Sequence, residues 1–371
     1  MKKTTIFLIL MIFMSFRACA ESNAISEQFE SSGAEDLFGV VNEYFPDFDS
    51  SEILNRFIEG EALDEKRILV QITNLLLGYS KKVIKTLLFL VVCGICVSFV
   101  TNAGASLNNK NDDVGTMTGY ILFASALMTF FSELISPAQN AINDISTMVK
   151  GLFGILLTSV TVEGGIITGS LIQNVLFMSA SIITDVISKV FVPLTVVSAG
   201  LAAAGHMSDK IRIEGLIKIT RSFIKWCISF IMIFFVGMFG LYGTAGVSID
   251  AWVGKTAKFV IGSSIPVVGG VLSDSLGTVF ATIKAVRNIT GNIGIIAVII
   301  IAVGPIVRTT VYIWSLKLCA GILEPITESR IVKLINDVTQ SAVMILICLI
   351  SSTLLMVINI SLLLASTNML N

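Results

Sequence analysis

Residues 340–365 read QSAVMILICLISSTLLMVINISLLLA, without one charged side chain. As an α-helix this run is about 39 Å long, more than the roughly 30 Å of a bilayer's hydrocarbon core. A helix satisfies its own backbone amides and carbonyls, so it can cross that core, and the stretch reads as a transmembrane span. Working outward, Ile84–Thr101, Thr118–Ser136 and Phe223–Gly243 read the same way. Gly151–Gly205 carries only Glu163, Asp185 and Lys189 as charges and has room for two or three crossings. Asn292–Leu323 is long enough for two tilted helices, with Gly304-Pro305 and Arg308 as the interruption. Phe259–Leu272 is apolar but short and holds Gly262, Pro266, Gly269 and Gly270, which suits a broken or re-entrant segment. The expected fold is all-α: a polytopic helical membrane protein with about six to eight transmembrane helices. Leu349, in the last span, is taken to face lipid.

The composition agrees. Of 371 residues, 54% are hydrophobic and 14% charged, and the mean hydropathy is +0.88. A soluble domain carries about 25% charged residues. These values exclude a soluble enzyme, a disordered tail protein and a nucleic-acid binder; the surroundings implied are a lipid bilayer. One His and six Cys exclude a His-rich metal site. G-x-S-x-G, H-E-x-x-H and Walker motifs are all missing, so neither catalysis nor a cofactor is expected.

Charge divides the chain. Residues 21–65 hold 13 of the 26 acidic residues and one base, Arg56. Ahead of them, Lys2 and Lys3, the apolar run Ile6–Phe16 and Ala18-Cys19-Ala20 have the form of a signal peptide cleaved before Glu21. The expected organisation is therefore a signal peptide at 1–20, an acidic, helical extracytoplasmic segment at 21–80 and a polytopic transmembrane domain at 81–371. Lys210, Arg212, Lys218, Arg221 and Lys225 form a basic loop interleaved with apolar residues, which reads as a cytoplasmic amphipathic helix. Lys81, Lys82 and Lys85 pull the other way, because they lie outside if the signal is cleaved and Ile84–Thr101 is the first span. His206 heads the basic loop and reads as a solvated interface residue.

Ionisable groups at membrane depth are functional candidates by default. Glu163 ends a short helix at a polar cavity or sits in a helical hairpin loop. Asp185 and Lys189 are four residues apart, hence on one helix face, and pair more readily than they relay protons. Cys93 and Cys96 have the spacing of a redox or metal pair but lie in an apolar run without further ligands, so they read as packing residues. Gly165-x-x-x-Gly169, Gly200-x-x-x-Ala204 and the Gly237, Gly240, Gly243 series read as close helix contacts. Ser263, Ser264, Pro266, Gly269 and Gly270 form the candidate broken-helix or assembly element.

The stretch Thr256–Gly269, TAKFVIGSSIPVVG, followed by Ser273-Asp274, resembles the stage III sporulation protein AE family of endospore-forming Firmicutes. So do the Ile322–Ile326 turn, ILEPI, and Ile335-Asn336-Asp337 after it. The resemblance implies a membrane component of a channel, or feeding-tube, complex in the mother-cell membrane facing the forespore, required for forespore development after engulfment. Its implied partners are other membrane subunits of the stage III complex and a forespore membrane partner. The alternative, from the residues alone, is a permease for a small solute that uses Glu163, Asp185 and Lys189 for coupling.

Overall fold

The computed structural model describes residues 65–106, 112–162, 177–207, 213–234, 237 and 269–368. The signal peptide and most of the acidic segment lie outside them. The described residues are helical, with short turns and no strand. Five helical stretches among them are long and apolar enough to cross a membrane: Leu76–Val100, Met117–Gly154, Phe177–Gly205, Thr290–Leu323 and Ser329–Ser361.

Helix α1 is Glu65–Ser106, α2 is Asp112–Ser132 and α3 is Ile135–Val162. Helix α4 covers Phe177–Gly205. Residues 214–234 form α5. Helices α6, Gly269–Leu323, and α7, Ser329–Asn368, complete the order.

Helix α6 is the axis. It runs parallel to α1, with Gly94 against Leu323 and Gly304 beside Tyr79. It runs antiparallel to α3, with Tyr312 bonded to Glu133 and Gly294 against Leu152. It returns through the 324–328 turn into α7, where Gly291 meets Leu364. That turn falls at the ILEPI run, and its amides close onto the helix end: Ile326 N–H donates to Leu323 O at 3.0 Å and Thr327 N–H to the same oxygen at 2.8 Å. Ser98 of α1 donates to Ile326 O and ties the turn down.

Three sequence expectations change here. Asn292–Leu323 is part of one continuous helix, not two. Pro305 removes one amide donor, but the strand of backbone around it is buried against neighbouring helices and the helix runs through. Leu349 is fully buried at 0% exposure, not lipid-facing. Helix α7 is enclosed by α6, α3, α4 and α2, and a helix that is apolar all round is what such a position requires. Of the glycines expected at close helix contacts, Gly200 and Gly237 face open space, and Gly165, Gly169, Gly240 and Gly243 lie outside the described residues; close approach is instead seen where a Cβ on Gly94 would stand 2.6 Å from Leu323 Cδ1 and one on Gly119 2.9 Å from Val97 Cγ1.

Two irregularities have sequence causes. Helix α2 stops at Ser132 and α3 restarts at Ile135 because Pro137 has no amide to give to Glu133 O. Arg308 Nη2 supplies the missing donor to that oxygen at 3.0 Å. In α4, Ile187–Phe191 is π-helical, with Val192 N–H bonded to Ile187 O. In that i→i+5 register Pro193 would serve Ser188 O and cannot. Gln139 Nε2 of α3 donates to Ser188 O instead, at 3.1 Å.

Candidate functional site

Helix α5 turns Ile217, Ile224 and Ile228 into the body. Arg221 falls on that same stripe, four residues after Ile217 and three before Ile224, so its guanidinium is carried inward. It meets Asp337 of α7: Nη1 donates to Oδ1 at 2.8 Å and Nη2 to the Asp337 carbonyl at 2.7 Å. Nε donates to Ser198 Oγ of α4 at 3.2 Å, and Nη2 also reaches Ser341 Oγ at 3.3 Å. The second carboxylate oxygen, Oδ2, accepts from His206 Nε2 at 2.7 Å. Nearby, Tyr120 Oη of α2 donates to Ala203 O of α4 at 2.7 Å. The side chains of His206 and Arg221 retain only 10% and 12% of their exposure.

The junction therefore joins α4, α5 and α7 through one carboxylate. Both carboxylate oxygens are used, and the guanidinium is held by four different acceptor atoms. An arginine donates in a rigid fork that suits this planar geometry. His206 is not the solvated residue expected from its place in the sequence; the fold brings it against a carboxylate 131 positions later. Of the basic loop, Lys218 pairs loosely with Glu214 at 4.0 Å on the surface, Lys225 is exposed, and Lys210 and Arg212 lie outside the described residues.

A second polar contact links the turn between α2 and α3 to α6. Tyr312 Oη donates to Glu133 Oε2 at 2.8 Å, and its ring stacks on Phe130 with centroids 4.3 Å apart. Arg308 stands 3.9 Å from the same carboxylate. Neither Glu133 nor Tyr312 was singled out in the sequence, where Glu133 falls near the end of the expected span Thr118–Ser136.

Asp185 and Lys189 do pair, at 3.1 Å, with side chains 52% and 70% exposed. Glu163, Ser263, Ser264 and Pro266 lie outside the described residues. Gly269 and Gly270 open α6. Cys93 and Cys96 are free thiols on α1. Among the described residues no group of three His, Cys, Asp or Glu side chains converges as a metal site would require.

These features define an α-helical integral membrane protein whose helices are joined by a largely enclosed ion pair and by side-chain hydrogen bonds. The sequence profile of the stage III sporulation protein AE family matches residues 48–367, and the chain belongs to that family. It is 22% identical over 288 residues to the stage III sporulation protein AE of Bacillus subtilis (strain 168), covering 78% of this chain and 72% of that one. No solved structure matches the chain. The family assignment gives the protein a role in sporulation.

Proposed function

We propose that the chain is a membrane subunit of the stage III sporulation complex, the channel that joins the mother cell to the engulfed forespore. The family match over residues 48–367 carries this reading. The subunit lies in the mother-cell membrane facing the forespore. There it binds other membrane subunits of the complex and, through them, a forespore membrane partner. Its part is architectural rather than catalytic. The junction at Asp337 supports that view: both carboxylate oxygens and the guanidinium are committed to holding three helices in place.

Deletion tests the role directly. The expected outcome is normal vegetative growth with sporulation arrested after engulfment, counted as a loss of heat-resistant spores. Parental spore counts in the deletion strain would refute it. Affinity purification from sporulating cells after crosslinking should recover membrane partners made only during sporulation.

A further inference from the structure

Among the described residues, only two buried side-chain nitrogen or oxygen atoms have no hydrogen-bond partner: Ser146 Oγ of α3 and Ser352 Oγ of α7. Ser146 keeps 3% of its exposure and Ser352 1%. A hydroxyl taken out of water and left unbonded is destabilising. Two such groups, 206 positions apart in the chain, are unrelated defects unless the fold brings them to one place.

Helices α3 and α7 run parallel to each other, since both are antiparallel to α6. A Cβ on Gly294 of α6 would meet both Leu152 of α3 and Ile360 of α7. Ser146 lies six residues before Leu152 and Ser352 eight before Ile360, so the two serines stand within about one helical turn of the same level. Both face α4. Ser146 comes seven residues after Gln139, which bonds Ser188 O of α4. Ser352 comes seven residues before Asn359, whose Oδ1 accepts from Ser179 Oγ of α4 at 3.5 Å. A separation of seven returns a side chain to the same helix face. Those two bonds bracket the α4 segment 179–188, and within it Thr184 is fully buried. The Thr184 hydroxyl donates to Ala180 O at 2.7 Å, so toward a third group it can only accept.

We propose that Ser146, Thr184 and Ser352 form the site of one enclosed water molecule that bonds α3, α4 and α7 together. The chemistry of the three groups selects water. It accepts from the two serine hydroxyls and donates one O–H to Thr184 Oγ1, which gives the roughly three bonds usual for a buried water. A metal cation would leave both serine protons unbonded, and a simple anion has no proton for Thr184. The joint adjoins the π turn of α4, which begins at Ile187, three residues after Thr184.

The full chain, purified in detergent, tests this with Ser146→Ala, Ser352→Ala and the double replacement. Each single change should lower the thermal midpoint by about 2–4 °C. The double should fall no further than the larger single, because one water can be lost only once. A midpoint that rises or stays put would mark dry hydroxyls, whose removal relieves a cost, and strictly additive losses would mark two separate groups. Either result overturns the proposal. The water itself is read by X-ray radiolysis, which makes hydroxyl radicals from bound water in place. Met356 is fully buried one turn after Ser352 on the same face of α7. Its oxidation to the sulfoxide should be at least about threefold faster in the parent than in the double variant. Equal rates would overturn the water even where the losses are not additive, since a direct bond between the two serines gives that thermal pattern without one.

Discussion

Arg221 sits between Ile217 and Ile224 on the inward stripe of α5, where an isoleucine would otherwise be expected. Removing the carboxylate it pairs with leaves a guanidinium buried without its counter-charge, a change that costs about 3–5 kcal/mol in comparable buried pairs. Asp337→Ala should therefore lower the thermal midpoint of the detergent-solubilised protein sharply, and Asp337→Asn should fall between it and the parent. Lys218→Ala should change little, under about 0.5 kcal/mol, because Lys218 and Glu214 are solvated at the surface. A midpoint for Asp337→Ala equal to that of Lys218→Ala would contradict the junction as described. The sequence shows five cations in one loop but not that one of them turns inward. The i, i+3, i+4 stripe through Arg221 was the available signal. The partners were not legible, because Asp337 lies 116 residues further on and periodicity carries no information at that range.

At the level of helices, two prolines orphan two carbonyls and a neighbouring helix fills each vacancy. Gln139→Leu should destabilise the fold by about 1 kcal/mol, the ordinary worth of such a bond. In a Pro193→Ala background the restored amide can serve the π turn itself, so the same replacement should matter less. A double-mutant cycle reads this as a coupling near the full effect of Gln139→Leu; strict additivity would show that the two residues act independently. Glycine gives a second contrast. Gly94→Ile should perturb α1 against α6, because even a Cβ there meets the end of Leu323. Gly321→Ile on the same helix pair should be mild, since nothing lies within 4 Å of a Cβ at Gly321. Recovery of folded protein after detergent extraction measures both. Helix class and approximate span positions were readable from hydropathy alone. The continuity of α6 through Pro305 was not, because a proline's effect depends on what surrounds the carbonyl it frees, and those groups come from other helices.

For the molecule as a whole, the five basic residues at 210–225 predict a cytoplasmic position for that segment. Ser208→Cys should resist an impermeant maleimide applied to intact cells; ready labelling from outside would invert the topology. Helix α1 continues through Ser80 and Lys81 without a break, so Lys81, Lys82 and Lys85 belong to a membrane-entering rod rather than to a separate loop. The junction at Asp337 also has a consequence in time. Most hydroxyls of the bundle bond to a carbonyl one turn back in their own helix, as Thr184, Thr195, Thr309 and Thr339 do, and such helices can leave the translocon already satisfied. Arg221 cannot. Its carboxylate is synthesised 116 residues later, a delay of roughly 6–23 s at ordinary elongation rates. During that interval the guanidinium must stay near the membrane surface, its stem in lipid and its head in water. The bond that fixes α5 to α7 therefore forms only after α7 has been made.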